Sequence, residues 1–261
     1  MGKIVAVANQ KGGVGKTTTS VNLVASLAAA KRRVLLVDLD PQGNATMGCG
    51  VDKNALEHST YDVLMAEASL SEVMVPVEHS NFRLAPANGD LTAAEVGLLD
   101  ELGRELRLRN ALDPVRADFD YIVVDCPPAL NMLTVNALTA ADSVMIPMQC
   151  EYYALEGLSA LLDTIEKIRR ILNPALRVDG LLRTMYDPRN KLSSQVSQQL
   201  VKHFGAKVYS TVIPRNVRLA EAPSHGLPVL LYDKNSSGAL AYLALAGEIL
   251  RRDGAHLRAA T

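Results

Sequence analysis

The first 38 residues follow one order: a strand, a glycine-rich turn, a helix and a second strand. Ile4–Ala8 is a short apolar run rich in β-branched residues, and Val34–Val37 is another. Runs of this kind are typical of parallel strands that are covered on both faces. Between them, glycines at 12, 13 and 15 end the first strand, and Thr17–Ala30 has helical spacing. This βαβ unit predicts two parallel strands with a right-handed crossover.

The same alternation of strands and helices continues along the chain. Short helices are expected around Tyr61–Glu67 and Thr92–Leu108, and a closing helix over Gly238–Arg252. No linker or repeat interrupts the pattern, so residues 1–261 are predicted to form a single domain. We expect an α/β fold with a doubly wound, mostly parallel sheet and helices on both faces. The later strands are expected at Tyr121–Val124, Ser143–Pro147, Val178–Met185 and Val208–Ile213.

The turn after the first strand has the composition of a phosphate-binding loop. Three glycines let successive backbone N–H groups turn toward an anion, and the following helix adds its positive N-terminal end. Lys16 can reach the β- and γ-phosphates of a nucleotide, and the Thr17 hydroxyl suits a Mg²⁺ ligand position. The usual signature has a glycine where this chain has Gln10. The pattern still predicts a fold of the P-loop NTPase type. The loop reads Lys11-Gly12-Gly13-Val14-Gly15-Lys16-Thr17-Thr18.

Three acidic residues stand where predicted strands end. Asp38 and Asp40 follow the second strand, and Asp125 follows the strand that begins at residue 121. In doubly wound sheets, ligands bind at the carboxyl ends of the strands. We therefore expect the three carboxylates to converge on one Mg²⁺. A plain turn begun by the Asp40-Pro41 dipeptide is the alternative for Asp40.

A second lysine opens the loop, and Lys-Gly-Gly-x-Gly-Lys-Thr-Thr resembles the deviant Walker A motif of the signature-lysine ATPases. Segments 38–44, 121–128, 151–157 and 212–219 continue the resemblance, which covers nearly the whole chain and points to partitioning ATPases of the ParA/Soj type. The resemblance implies an ATP-dependent homodimer that binds double-stranded DNA without sequence specificity. It further implies slow, Mg²⁺-dependent ATP hydrolysis, stimulated by a ParB-type centromere-binding protein, that releases the DNA. The expected location is cytoplasmic, on the nucleoid.

On the phosphate side, the resemblance implies a role for each polar residue of the loop. Lys11 resembles the signature lysine, which reaches the phosphates bound by the other subunit of the dimer. Lys16 resembles the ordinary P-loop lysine. Thr17 resembles the Mg²⁺ ligand, and Thr18 resembles a phosphate contact. The glycines and Val14 complete the loop around the phosphates.

The same resemblance implies roles outside the loop. Asp40 resembles the residue that positions the attacking water, and Asp38 lies nearer the outer shell of the metal. Asp125 resembles the Walker B carboxylate, which holds Mg²⁺ through water. Pro214 and Asn216 resemble contacts on the adenine side.

The net charge of the chain conceals an uneven distribution of acidic and basic residues along it. The chain has 27 basic and 28 acidic residues, for a net charge of −1, which by itself argues against a nucleic-acid partner. Residues 1–150 carry a net −6, however, and residues 151–261 carry a net +5. A basic region of this kind is expected where a protein binds backbone phosphates. Arg189 and Arg218 are the first candidates for DNA contact and Arg215 is a further one. Ordinary solvated helix faces are the alternative.

Three other classes of protein share parts of this pattern. A MinD-type, membrane-associated cell-division ATPase needs a C-terminal amphipathic helix. Here Asp253-Gly254 is expected to break the closing helix, and the tail lacks aromatic residues, so no membrane partner is expected. An iron–sulfur carrier needs suitably placed cysteines, and the three present form no CxxC pair and fit buried side chains better. A metabolic ligase acting on a small carboxylate predicts substrate-dependent turnover.

Overall fold

Eight strands form one sheet in the computed structural model, which describes residues 1–151 and 154–259, without the side chains of 154–156 and 256–259. Most of the segment 151–157, part of the family resemblance, therefore lies outside the described side chains. The strands are β1 (Lys3–Val7), β2 (Val34–Asp38), β3 (Val75–Pro76), β4 (Arg83–Ala85), β5 (Tyr121–Asp125), β6 (Ser143–Gln149), β7 (Arg177–Tyr186) and β8 (Val208–Pro214).

The strand order is β3-β4-β2-β5-β1-β6-β7-β8, and every pair except β3–β4 is parallel. The predicted doubly wound sheet is confirmed. Strands β1 and β2 are parallel, as expected, but β5 lies between them and pairs with both. In that register Asp38 lies directly beside Asp125. The carboxyl ends of the central strands thus bring two of the predicted site residues together.

Helices cover both faces of the sheet. On one face, Leu23 and Leu27 pack with Tyr242 and Leu245 in a continuous apolar core, and a second core lies on the other face. Strand β2 is buried along its whole length because it is central and covered on both sides. The helices are α1 (Lys16–Ala29), α2 (Asn44–Gly48), α3 (Thr60–Met65), α4 (Leu70–Val73), α5 (Leu91–Gly97), α6 (Arg107–Leu112), α7 (Met132–Ala140), α8 (Ala154–Ile171), α9 (Lys191–Phe204), α10 (Val217–Glu221), α11 (Val229–Tyr232) and α12 (Ser237–Ala259).

Strand β8 lies at one edge of the sheet and contains a bulge. Its register against β7 slips between residues 181 and 183. The carbonyls of Tyr209 and Ser210 accept hydrogen bonds from Arg183 Nη2, at 2.7 and 3.1 Å. The backbone amides of Ser210 and Thr211 donate to the Glu248 carboxylate of α12, at 2.8 and 2.9 Å. Two side chains thus bond the bulge's polar backbone groups, which stabilises the irregular edge.

A group of charged and phenolic side chains, the Lys3 cluster, ties the amino-terminal end of the sheet to α12. Lys3 Nζ donates to Asp179 and to Asp253, at 2.8 Å in each case. The Tyr121 hydroxyl donates to Asp253 at 2.8 Å, and the Tyr209 hydroxyl donates to Asp179. Burial raises the pKa of Asp179, but Lys3 and Tyr209 outweigh that effect and hold the pKa below its ordinary value. Both carboxylates of the cluster therefore share one cation and each accepts a phenolic hydrogen bond as well.

One expected helix boundary is wrong. The closing helix does not stop at Arg252; it continues through Asp253 and Gly254 to Ala259. Asp253 is fixed by Lys3 and Tyr121, which favours a helical backbone where the local sequence suggests a break. Around 92–108 the chain forms the short helices α5 and α6, and in the segment between them Gly103 takes a left-handed conformation at φ +68°.

Within the described residues, no helix is both long enough and apolar enough to cross a membrane.

Candidate nucleotide site and basic surface

The loop between β1 and α1 is an open, glycine-lined turn. Gly13 and Gly15 have φ of +71° and +86°, which an L side chain adopts only with strain. A Cβ placed on Gly12 or Gly13 would have no neighbour within 4 Å. The space above the loop is therefore free for a ligand. The arrangement of glycines before a helix N-terminus matches an anion-binding nest.

Lys16 lies under this loop at the first position of α1. Its side chain is buried, with the residue 7% exposed, and Nζ donates to the carbonyl of Lys11 at 3.2 Å. Burial lowers the Lys16 pKa, while the carboxylates of Asp125 and Asp40 oppose that effect. The ammonium group is thus held at the loop without a carboxylate within ion-pair distance among the described side chains. That position leaves its charge available to an anion.

Lys11 takes a different position from Lys16. Its side chain is 44% exposed, and Nζ forms an ion pair with Glu151 Oε2 at 2.6 Å, just after β6. The backbone amide of Lys11 donates to Asn9 Oδ1, which fixes the start of the loop. An ion pair this exposed is weak, so it can exchange readily for another partner. The two loop lysines therefore lie in different surroundings.

Asp38 is fully buried, and hydrogen bonds hold both of its carboxylate oxygens. Oδ2 accepts from the Thr46 amide and hydroxyl, at 2.9 and 2.8 Å, and Oδ1 accepts from the Asp40 amide at 3.1 Å. Burial raises the pKa of Asp38 to about 6 despite these bonds. A carboxylate whose oxygens are occupied by amides and a hydroxyl is suited to orienting its neighbours. The predicted outer-shell role of Asp38 fits this arrangement.

Asp125 is equally buried but is bonded less completely. Its Oδ1 accepts from Ser20 Oγ at 2.8 Å, whereas Oδ2 is buried with no hydrogen-bond partner. Burial and, to a smaller extent, the adjacent Asp38 raise the pKa of Asp125 to about 8, against the opposite effect of hydrogen bonds from Thr17 and Ser20. The unpaired carboxylate oxygen and the nearby Thr17 hydroxyl are oxygen ligands of the kind that a hydrated Mg²⁺ ion binds.

Asp40 opens the loop that follows β2. It is 7% exposed, and its Oδ1 accepts from the Gln42 amide at 3.0 Å, as in a turn begun by aspartate. Gly43 follows with φ +61°, and a Cβ there would lie 2.7 Å from the Ala87 carbonyl. The loop is thus tightly fixed. The described residues contain no ready-made group of three His, Cys, Asp or Glu side chains for a metal, so the predicted convergence of all three aspartates is not preformed.

The predicted adenine contacts lie beside the end of β7. Pro214 pairs with Tyr186, two residues after Thr184, whose hydroxyl donates to the Val14 carbonyl of the loop at 2.8 Å. Asn216 caps α10 by accepting from the Arg218 amide at 2.9 Å, and its Nδ2 donates to Ser237 Oγ at 2.7 Å. Pro214 therefore lies beside the end of the strand whose Thr184 bonds the loop, while Asn216 caps α10. Their adenine contacts stay predictions.

The candidate DNA-contacting arginines differ in their charge environment. Arg189 is exposed, and it binds Asp187 through two hydrogen bonds, at 3.0 and 2.8 Å. Arg218 is paired with Glu221 at 2.8 Å and with Asp233 at 3.4 Å. Arg215 is exposed and has no ion pair with any described side chain. Two of the three arginines thus carry a local counter-charge that a phosphate would have to replace.

Four residues of the site were not predicted from the sequence. Thr46 and Ser20 hold the two buried aspartates, Thr184 holds the loop carbonyl, and Glu151 holds Lys11. Each is a common residue type whose contact depends on the folded chain. The position of Ser20, one helical turn after Lys16, was the one local signal available.

Comparison with known proteins agrees with this geometry. A family model described as an AAA domain matches residues 2–178. The sporulation initiation inhibitor protein Soj of Bacillus subtilis is 55% identical over 95% of this chain and 98% of its own length. The chromosome partitioning protein ParA of Caulobacter vibrioides is 52% identical over 96% of this chain and 95% of its own.

A solved structure gives the same fold with ligands present. It is named cobyrinic acid a,c-diamide synthase of Mycobacterium smegmatis and contains ADP and magnesium. It is 41% identical, covers 96% of this chain and 95% of its own, and superposes with a TM-score of 0.85. Together with the glycine-lined loop, the buried Lys16 and the aspartates at the strand ends, these relatives confirm the predicted kinship: the chain belongs to the ParA/Soj family of partitioning ATPases.

Proposed function

We propose that this protein is a DNA-partitioning ATPase whose ATP-bound dimer binds double-stranded DNA without sequence specificity. Slow, Mg²⁺-dependent hydrolysis of ATP, stimulated by a ParB-type centromere-binding protein, releases the DNA and so drives segregation of a chromosome or plasmid. The protein acts in the cytoplasm, on the nucleoid. Identity above 50% over nearly full length to Soj and ParA supports this choice among the activities of the fold.

The position of Lys11 carries the dimer part of the proposal. Lys16 already supplies a cation under the loop of its own subunit, whereas Lys11 points away from the loop and holds an exposed, exchangeable partner, Glu151. A second lysine in that position can reach phosphates bound by another subunit. Closure of the dimer would then exchange the Glu151 carboxylate for a more highly charged phosphate group.

The remaining residues suit phosphoryl transfer to water. The amides of Gly12–Gly15 and the α1 terminus neutralise phosphate oxygens, and Lys16 adds a positive charge. Thr17 and Asp125 would hold Mg²⁺, which when bound neutralises charge on the phosphates. Asp40, fixed by the tight turn at Gly43, would orient the attacking water. Catalysis of this kind depends on positioning more than on covalent chemistry.

The decisive experiment measures DNA binding with ATP, with ADP and without nucleotide over a salt series. We expect tight binding with ATP alone, and we expect both Lys16→Ala and Lys11→Ala to weaken it by about ten-fold or more. Lys16→Ala should also weaken nucleotide binding, whereas Lys11→Ala should leave nucleotide binding intact and abolish the dimer. Lys31→Ala, which removes an exposed lysine elsewhere, is the control. DNA binding that is equal in all variants would refute the coupling of ATP to DNA.

The three arginines can be separated by the same assay. Removing a phosphate contact weakens binding to all sequences and lowers the salt slope by about 1. We expect this from Arg218→Ala, Arg189→Ala and Arg215→Ala, with nucleotide binding unchanged. An unaltered salt slope in all three would move the DNA contacts to other basic residues.

Two alternatives remain to be tested directly. The likeness to the synthase structure supports a ligase acting on a carboxylate substrate. That activity predicts ATP turnover that depends on a small acid and is indifferent to DNA. A MinD-type, membrane-associated activity predicts ATP-dependent co-sedimentation with anionic liposomes. The continuous α12 removes one sequence objection to this second alternative, because the expected break at Asp253-Gly254 is absent.

A further inference from the structure

A large cavity lies far from the nucleotide loop. Its volume is about 1160 Å³, and it opens beside the amino-terminal parts of β7 and β8, between α8, α9 and the end of α12. The nucleotide loop follows the carboxyl end of β1, so the cavity occupies the opposite end of the sheet. The volume is sufficient for a ligand of nucleotide size.

The lining of this cavity is strongly cationic. Two carboxylates face it, and both are already engaged: Asp179 by Lys3 at 2.8 Å, and Glu166 by Arg169 at 2.9 Å. Of the five cations in the lining, Arg169 and Arg252 have carboxylate partners of their own. The other three have none within 4 Å among the described side chains, which leaves a local excess of positive charge. These three are Arg177, Arg183 and Lys207.

Arg183 is the cation of this lining whose hydrogen-bond partners are the most informative. Its guanidinium donates to the Ser197 hydroxyl at 2.9 Å and to the carbonyls of Tyr209 and Ser210, which are all neutral acceptors. Its Nε is buried and has no hydrogen-bond partner. Arg183 as a whole is half-buried, and a partly desolvated cation without a counter-ion is stabilised by nearby negative charge. Arg177 and Lys207 are exposed and stand beside it in the same lining.

We propose that this cavity is a second anion site, which binds a small ligand carrying two or more phosphate groups. Guanidinium groups match phosphate oxygens in geometry, and two arginines with a lysine balance the charge of a diphosphate. Leu162, Ile165 and Val178 form an apolar wall that suits the body of a phosphate ester. The concave shape favours a small ligand over a DNA duplex. The site does not depend on the proposed partitioning function.

The test uses the full chain saturated with ADP and Mg²⁺, so that the P-loop is filled, and inorganic pyrophosphate as the probe in titration calorimetry. The cavity variant is Arg177→Gln with Lys207→Gln, which alters two exposed side chains and spares the fold. The control is Lys31→Gln with Lys167→Gln, which removes the same charge from two exposed positions outside the cavity. Binding of ADP is measured for each protein in parallel.

We expect the wild type and the control to bind one pyrophosphate per chain, and the cavity variant to bind it about ten-fold more weakly or worse. Affinity for ADP should agree within about two-fold among the three proteins. Equal pyrophosphate binding by the cavity variant, or none by the wild type, would overturn the proposal. A short DNA duplex with ATP forms the second arm. Loss of DNA binding by the cavity variant, with no pyrophosphate bound by the wild type, would assign the cations to DNA phosphates instead.

Discussion

Two pairs of aspartates, one fully buried and one half-buried, stand at opposite ends of the same sheet, and their surroundings differ. At the carboxyl ends of β2 and β5, Asp38 and Asp125 adjoin each other, and no described cation lies within ion-pair distance of either. At the other end, Asp179 and Asp253 share Lys3, at 2.8 Å from each. The pKa of Asp125 is raised to about 8, mainly by burial, while that of Asp179 is lowered.

The contrast shows how one residue type serves two purposes. The Lys3 cluster contains its own cation, so it contributes stability whether or not a ligand is bound. Lys16 acts on Asp125 from a longer distance, but no described cation lies within ion-pair distance of the Asp38–Asp125 pair. We therefore expect this pair to cost stability until the proposed Mg²⁺ ion binds, as groups at functional sites commonly do. Changes to the two pairs should consequently have opposite effects on the free energy of unfolding.

The largest effect is expected from Lys3→Met. This change leaves Asp179 and Asp253 mostly buried, at 14% and 20% side-chain exposure, without their cation. We expect a loss of about 3–5 kcal/mol in the free energy of unfolding, measured with urea. Lys31→Met, at an exposed site, is the control and should change little. A loss no larger than that of the control would mean that the cluster is not stabilising.

A smaller effect of opposite sign is expected from Asp125→Asn. In chelator and without nucleotide, removing this unpaired charge should raise the free energy of unfolding by about 1–3 kcal/mol. The matched change Asp253→Asn, in the Lys3 cluster, should lower it. With Mg²⁺ and ATP present, the advantage of Asp125→Asn should disappear because the variant binds the metal poorly. Destabilisation by Asp125→Asn in chelator would contradict the comparison.

The dependence of the free energy of unfolding on pH should also distinguish the two pairs of aspartates. A carboxyl group whose pKa is higher in the folded than in the unfolded protein binds more protons when the protein is folded. The ionised group therefore destabilises the fold most at pH values above the folded pKa, and this destabilisation decreases as the pH falls. Lowering the pH from 8 to 6 in chelator should therefore stabilise the wild type relative to Asp125→Asn, by on the order of 1–2 kcal/mol. The Lys3 cluster responds only at acid pH, where Asp179 loses its charge. Parallel melting curves of wild type and variant across this range would exclude the raised pKa.

The smallest effect is expected from changes to Thr184 in β7, the strand that runs between the two ends of the sheet described above. This strand carries Asp179 near its start and Thr184 near its end, where the hydroxyl bonds the Val14 carbonyl of the loop. Thr184→Val should cost about 1 kcal/mol of stability and weaken nucleotide binding, whereas Thr184→Ser should retain both. Calorimetry with ADP and thermal melts measure the two effects. Equal nucleotide affinity for the valine and serine variants would show that this bond does not position the loop.

The sequence predicts which residues meet at the carboxyl ends of the central strands, but it does not predict the contacts at the opposite end of the sheet. The reason is physical. The loop lysines, the glycines and the strand-end aspartates are adjacent in the chain or fixed by strand order, so local patterns suffice to bring them together. The Lys3 cluster instead joins residues from positions 3 to 253, and no local pattern encodes it. The extension of α12 past Asp253 depends on that cluster and is missed with it. Similarly, Thr46 and Glu151 act through contacts that only the folded chain creates.

The bulged edge strand has a consequence for many copies held side by side. At β8 the amides of Ser210 and Thr211 are already bonded to Glu248, and at the far edge β3 is only two residues long and ends in Pro76. Neither border offers a regular row of unpaired backbone groups that could template a strand from a neighbouring molecule. Copies of the protein at high local concentration can therefore crowd together without their sheets fusing into a fibril.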